Sequence, residues 1–207
     1  MELPDCHACR LGQLTVSCRK QDDEGNPCAQ CNGEGLRLHR HTVVDFEGTV
    51  PNDILFLGEA PGYHEDLDGL PFRPHAPAGG VLRRALLQLD MTPVLDNIVH
   101  CRPPDNKLRD YPDAIKTCSE LWLDRALAIV QPKVIVAMGA LAGQLWFPGL
   151  RATEMSKLAR VVVRNGIKYV VVGSFHPSYV ARGSDPAAGP SMIESLRRAM
   201  MLAREGI

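Results

Sequence analysis

Three short segments carry side chains suited to chemistry, and each follows an apolar run. Gly58-Glu59-Ala60-Pro61-Gly62 leads to Glu65-Asp66 and Pro71-Phe72. Asn97 leads to Cys101-Arg102-Pro103-Pro104, and Ser174-Phe175 leads to His176-Pro177-Ser178. Carboxylates can hold a water or balance a cation. An amide offers a donor and an acceptor to a polar ring, and an imidazole can donate one proton while staying neutral. The glycine-rich segment lacks the G-x-G-x-x-G of a dinucleotide site and the Gly-Lys-Ser/Thr of a phosphate loop, so nucleotide cofactors are not indicated.

The seven cysteines form a second chemical set. Four fall in the pairs Cys6-x2-Cys9 and Cys28-x2-Cys31, and the others are Cys18, Cys101 and Cys118. The opening residues have no charged and apolar regions of a signal peptide. No run approaches the ~18 apolar residues of a membrane span. A cytoplasmic location is therefore expected, where thiols stay reduced and such pairs bind metal.

These residues need elements to position them. Ile54–Leu57, Asn97–Val99, Lys133–Met138 and Tyr169–Val172 read as buried strands. An apolar stripe over Gly79–Leu89 reads as an amphipathic helix. A second helix should start near Pro112 and end at Val130, and a last one should open on a capping box at Ser191 and Glu194. Strands alternating with helices predict a three-layer α/β/α sandwich around a mostly parallel four-stranded sheet. Ligands bind beyond the carboxyl ends of such strands, so the three segments should share one pocket. Residues 1–50, with five cysteines and little apolar periodicity, read as a separate metal-binding segment ahead of a catalytic domain at 51–207.

The formal charge of −1 excludes a bulk polycation. Nucleic-acid contact would have to come from local groups: Arg83 with Arg84, Arg102, Lys107 with Arg109, and Arg182.

Taken in order, these motifs resemble family 4 uracil-DNA glycosylases, the iron–sulfur type. The likeness runs through Gly58-Glu-Ala-Pro-Gly62, Glu65-Asp66, Pro71-Phe72, Asn97-Ile-Val-x-Cys101-Arg-Pro-Pro104, Cys118, Pro132–Ala137, His176-Pro-Ser178 and Arg182. The resemblance implies a DNA-repair enzyme that flips uracil out of DNA and hydrolyses its glycosidic bond, leaving an abasic site. It implies Glu65, His176 and Glu59 as catalytic groups, and Phe72, Asn97, Gly58 and Ala60 around the base. Arg182, Ser178, Gly79 and Gly80 would face the DNA.

It also implies a structural [4Fe–4S] cluster on Cys6, Cys9, Cys101 and Cys118, with residues 18–41 as an insertion. Cys28 and Cys31 are the alternative first pair. Left-over Cys18, Cys28 and Cys31 could take zinc with His39 or His41. A ribbon on Cys6, Cys9, Cys28 and Cys31 is a further zinc arrangement. The expected partner is uracil-containing DNA, with no membrane, for a monomer of prokaryotic or phage type. The loop Arg73–Gly79 departs from the family pattern. A superfamily member acting on another modified or deaminated base, and a non-catalytic DNA-binding adaptor, are the alternatives.

Overall fold

The computed structural model describes residues 6–18, 21, 25–28 and 34–205. A short helix α1 (Arg10–Gln13) precedes an antiparallel ribbon of β1 (Thr15–Ser17) and β2 (Leu36–Leu38). The main sheet begins with β3 (Ile54–Gly58), followed by α2 (Tyr63–Asp68), α3 (Pro77–Gln88) and β4 (Val94–Asn97). Two 3-10 turns lead into α4 (Pro112–Cys118), which continues through a π-helical stretch, Ser119–Leu123, into α5 (Asp124–Val130). Then come β5 (Val134–Met138), α6 (Ala140–Gln144), α7 (Ala152–Met155), β6 (Ala159–Arg164), β7 (Ile167–Ser174), α8 (Pro177–Arg182) and α9 (Ala188–Glu205).

The five-stranded sheet has the order β4-β3-β5-β7-β6 and is parallel except for β6. Alternate residues along each strand enter different cores, as the period-two geometry of a strand requires. Leu55, Leu57, Ile135, Ala137 and Val171 pack with Leu123, Leu127 and Trp122 on one face. Phe56, Val134, Val136, Met138 and Val172 pack with Leu82, Leu86, Met192 and Leu196 of α3 and α9 on the other. The result is three layers, with both sheet faces covered. No helix among the described residues is long and apolar enough to cross a membrane.

Three sequence expectations need correction. The sheet has five strands, not four: Val161-Val162-Val163 pairs with β7 across Asn165-Gly166, both at positive φ, the residues a tight hairpin favours. The second strand ends at Asn97 rather than starting there, so Asn97 stands at a carboxyl end. The last helix starts at Ala188, ahead of the supposed cap at Ser191. Asp185 closes the turn before it, its carboxylate accepting from Ala187 N–H at 2.9 Å. Pro190 then falls in the first turn, where a missing N–H costs nothing.

The N-terminal segment is less separate than its composition implied. Cys9 and Leu11 are buried in the same core as Leu55 and Ile135. Arg10 anchors them: its backbone N–H donates to Asp113 Oδ2 at 3.1 Å, its guanidinium to Asp110 O at 2.6 Å, and it lies over the Tyr111 ring.

Candidate active site

The end of β3 decides how close the site residues come. A Cβ on Gly58 would lie 2.5 Å from Asn97 Oδ1 and 2.5 Å from the Phe72 ring. Glycine therefore lets the ring and the amide meet at one point. The imidazole of His176 completes the group, its ring 6.2 Å from that of Phe72 at a tilt of 38°. Phe72, Asn97 and His176, far apart in the chain, are thus gathered near the carboxyl ends of the strands.

Phe72 has a φ of 50°, costly for a bulky side chain. Hydrogen bonds hold it from both sides. Glu65 accepts from the Phe72 N–H with Oε1 and from the Gly62 N–H with Oε2, each at 2.5 Å. Arg83 donates to the Phe72 carbonyl at 2.6 Å and the Pro71 carbonyl at 3.2 Å, and it pairs with Glu47. Gly79 lets α3 press against this turn, since a Cβ there would fall 2.5 Å from the Phe72 oxygen. Burial pushes the Glu65 carboxyl up, against the two N–H bonds that pull it down.

Asn97 is 2% exposed, and its Nδ2 is buried with no hydrogen-bond partner among the described residues. Its backbone N–H donates to the buried Asp96 at 2.8 Å, which fixes the end of β4. An unpartnered buried amide donor costs on the order of 1–3 kcal/mol. Such a cost is expected where a ligand supplies the missing acceptor.

His176 caps α8. Its Nδ1 accepts from the Ser178 N–H at 3.1 Å and contacts Ser178 Oγ at 2.8 Å. In the neutral ring the proton then sits on Nε2. Burial lowers its pKa, opposed by the Glu59 carboxylate and reinforced by Arg182, so the ring stays neutral at neutral pH. Gly139, at φ 92°, allows this grouping: a Cβ there would lie 2.6 Å from Glu59 Oε1 and 3.0 Å from His176 Cβ. Glu59 Oε1 accepts from the Leu141 N–H at 3.0 Å.

Two clefts meet at Glu59, His176, Ser178 and Arg182. One, of about 500 Å³, is walled by Ala60–Glu65, Ala76–Ala78, Pro103 and Leu108. The other, of about 490 Å³, is bordered by Arg109, Arg151 and Tyr179.

Cys6, Cys9, Cys101 and Cys118 lie apart from these residues, in the core on the sheet's other face. Cys9, Cys101 and Cys118 are buried in one core cluster, with Cys6 packed against it. Each of Cys6 and Cys9 raises the pKa of Cys101 and Cys118, behind burial, which does most to push both thiols to about 12. The Arg40 guanidinium opposes that rise at Cys101. Among the described residues, no three of His, Cys, Asp or Glu stand close enough to share one metal ion.

Cys18 and Cys28 lie with Sγ atoms 3.5 Å apart at the far end of the ribbon, and Cys31 falls outside the described residues. Cys18 N–H bonds Gly35 O, whereas His39 N–H bonds Leu14 O. Four residues of strand, about 13 Å, separate those pairs, which places His39 away from Cys18. His41 is engaged elsewhere, its Nδ1 2.8 Å from Asp66 Oδ2.

Residues 47–198 match the model of the uracil DNA glycosylase superfamily. The chain belongs to that superfamily. A type-4 uracil-DNA glycosylase of Thermotoga maritima is 32% identical over 182 residues, 86% of this chain and 92% of that protein. Those of Archaeoglobus fulgidus and Sulfurisphaera tokodaii are each 33% identical, covering 74% and 78% of this chain and 77% and 74% of theirs.

Within this uracil DNA glycosylase superfamily member, sequence reasoning located Phe72, Asn97 and His176 but missed what holds them. Ser178 was expected at the DNA and is found orienting His176. Gly80 donates its N–H to Ala76 O, and Gly79 lets α3 pack closely on Phe72. Arg83, grouped by sequence with surface cations, clamps Phe72 instead. Gly139 was missed as a site residue; its place directly after the buried strand Lys133–Met138 was the available signal.

Proposed function

We propose that this protein excises uracil from DNA by hydrolysing the N-glycosidic bond. The observation that carries this reading is the buried Asn97 amide with its Nδ2 unpartnered beside Phe72 and His176. Uracil presents an acceptor at O4 and a donor at N3. Asn97 Nδ2 donates to O4 and Oδ1 accepts from N3–H, an arrangement that cytosine mismatches at both atoms. Phe72 stacks on the ring. The base reaches this pocket only after leaving the helix, at a cost of roughly a few kcal/mol.

As the bond to C1′ breaks, negative charge grows on uracil and positive charge on the sugar. The Nε2–H of His176 donates to uracil O2, where that charge develops, so it favours the transition state over the ground state. Water adds to C1′, its oxygen staying on the sugar, and uracil leaves as the anion and is protonated. Both oxygens of Glu65 are taken by backbone N–H groups. Glu59, in the cleft beside His176, is the carboxylate free to face the cationic sugar or orient the water. Gly58 and Ala60 shape the base site, and Arg182 at the rim meets the DNA backbone.

The four converging cysteines fit an iron–sulfur group better than a single ion. Thiols around a multi-iron cluster stand further apart than four ligands on one metal, and buried thiols held near pKa 12 need a metal to lose their protons. We assign Cys6, Cys9, Cys101 and Cys118 as ligands of a [4Fe–4S] cluster that ties residues 1–50 to the catalytic domain; hydrolysis requires no electrons from it. The proximity of Cys18 and Cys28 supports a separate thiol-rich metal site in the insertion, zinc being the ion suited to it. The protein acts as an intracellular monomer.

The test is a single-turnover assay of anaerobically purified protein on a duplex bearing one uracil, with iron and zinc counted. An alkali-labile abasic site and free uracil are expected. Tight DNA binding with no abasic product would favour the adaptor reading, and faster release of hypoxanthine than of uracil would favour another target base.

A further inference from the structure

The loop Arg73–Gly79, which departs from the family pattern, folds back onto α2. Arg73 Nε donates to Asp68 Oδ2 at 2.7 Å, and His75 Nε2 stands 3.6 Å from the same oxygen. The His75 ring meets the His64 ring edge to face, 4.9 Å between centroids at 83°. His64 meets Tyr63 in the same way, at 5.5 Å and 74°. The Arg102 guanidinium lies over the Tyr63 ring at 5.1 Å. Three rings thus touch in succession, with Arg102 at one end and the Asp68–Arg73 pair at the other.

These rings stand open to water. Tyr63 is 51% exposed, and His64 and His75 are exposed as well. Leu67, one turn along α2 from Tyr63, is 45% exposed and extends the apolar surface. Among the described residues, His64, His75 and Asp68 do not stand close enough to share a metal ion. Tyr63 and His64 line the same cleft as His176 and Arg182. At about 500 Å³ that cleft has the volume of a site for a drug-sized ligand, so one pyrimidine leaves room in it. A nucleotide beside the flipped one brings a flat face and a negative phosphate. The rings suit the first and Arg102 suits the second, while the nearby Asp68 carboxylate is met by Arg73.

We propose that Tyr63 and His64, braced by His75 and Arg102, form a stacking subsite for the unpaired nucleobase next to the flipped uracil. Its place beside the base site rests on the function proposed above. It gives the altered loop a task, since Arg73 and His75 hold the loop against the rings of α2. A base inside an intact duplex is already paired and stacked on both faces. A base in a single strand has a face to offer, and stacking on protein rings takes any base because every base has a π-face. Purine neighbours, with the larger face, bind this subsite more tightly than pyrimidine ones.

The experiment uses the full chain in four forms: native, Tyr63→Phe, Tyr63→Ala, and Tyr63→Ala combined with His64→Ala. Fluorescence anisotropy reads binding to two uracil-free single strands of equal length, one of deoxyadenosines and one of abasic residues. The two carry the same backbone charge, so at one salt concentration their difference reports the bases alone. Native protein should bind the adenine strand on the order of tenfold more tightly than the base-free strand. Tyr63→Ala should lose most of that preference, and the double variant should bring the two strands close together. Tyr63→Phe, which keeps the ring, should match native. Equal affinity of the native chain for both strands overturns the proposal. A double variant that keeps the native preference, or a Tyr63→Phe that loses it, overturns it too. Release of uracil from a duplex is measured alongside. Release without the strand preference removes the subsite and leaves the excision reading; the preference without release upholds the subsite and removes the excision reading.

Discussion

The base pocket and the four-cysteine centre sit in one molecule but are fixed by different physics. The residues proposed for the base site are held in place by the protein alone. Gly58 brings Phe72 and Asn97 together, Glu65 and Arg83 hold the Phe72 backbone, and Ser178 sets the His176 tautomer. The four cysteines lie together in or against one core, with the Cys101 and Cys118 thiols pushed by burial to about 12. On the proposed function, the first region is prepared for a passing ligand and the second would be organised around a resident cluster. Damage to the pocket should therefore cost activity and spare the fold, while damage to the centre should cost the fold first.

The largest expected effect follows directly. Cys118→Ala, or iron removed by chelation, should lower the melting temperature by ~10 °C or more, since each kcal/mol lost from a chain of this size moves it by roughly 2–4 °C. Calorimetry checks this, and an unchanged melting temperature would erase the contrast. Next is His176→Ala. Loss of a donor to the departing base should cost ~2–4 kcal/mol of transition-state stabilisation in single-turnover cleavage, with melting nearly unchanged. Near-native cleavage would remove His176 from the chemistry.

Glu65→Gln probes the boundary between the two kinds of damage. Glutamine keeps one acceptor but places an NH₂ against one of two backbone N–H groups. About 1–3 kcal/mol of stability should be lost, and cleavage should fall because Phe72 is no longer held. A variant that cleaves slowly yet melts like native would return Glu65 to a direct catalytic role.

The smallest effect is a pH dependence. The folded pKa of His176 lies below its ordinary value of 6.5, mainly through burial. Below that value the unfolded chain binds a proton that the folded chain refuses, so stability falls as pH drops from about 6.5 toward the folded pKa. His39 and His100, also lowered by burial, the latter to about 4, act in the same direction. The melting difference between native and His176→Asn should be constant above pH ~7 and move against native below it. A difference that stays flat to pH 5 would mean that His176 binds protons equally in both states.

Much of the pocket was legible because its residues stand at strand ends, where an apolar run stops and polar types begin. Asn97 and His176 could be placed that way, and the order of the motifs pointed to the family. The supports were not legible. Arg83 reads as a surface cation until α3 is known to pack its side chain on Phe72, and Glu65 reads as a free carboxylate until its two N–H partners are placed. Strand β6 was missed although Val161-Val162-Val163 ahead of Asn165-Gly166 is a hairpin signal; its alternate valines are exposed, so it lacks the buried look of the other strands. Spacing alone left two candidate first pairs for the proposed cluster. Arg10 packs against Asp110 and Asp113, which holds the Cys6–Cys9 segment against the main body, a contact invisible in one dimension.

The most direct test of the account is uracil release by Asn97→Leu, a change close in shape that removes both hydrogen bonds to the base. Single-turnover cleavage of a uracil duplex should fall by on the order of 100-fold or more, while the melting temperature holds or rises because a buried unpartnered donor is gone. Cleavage at the native rate, with cytosine still refused, would contradict it.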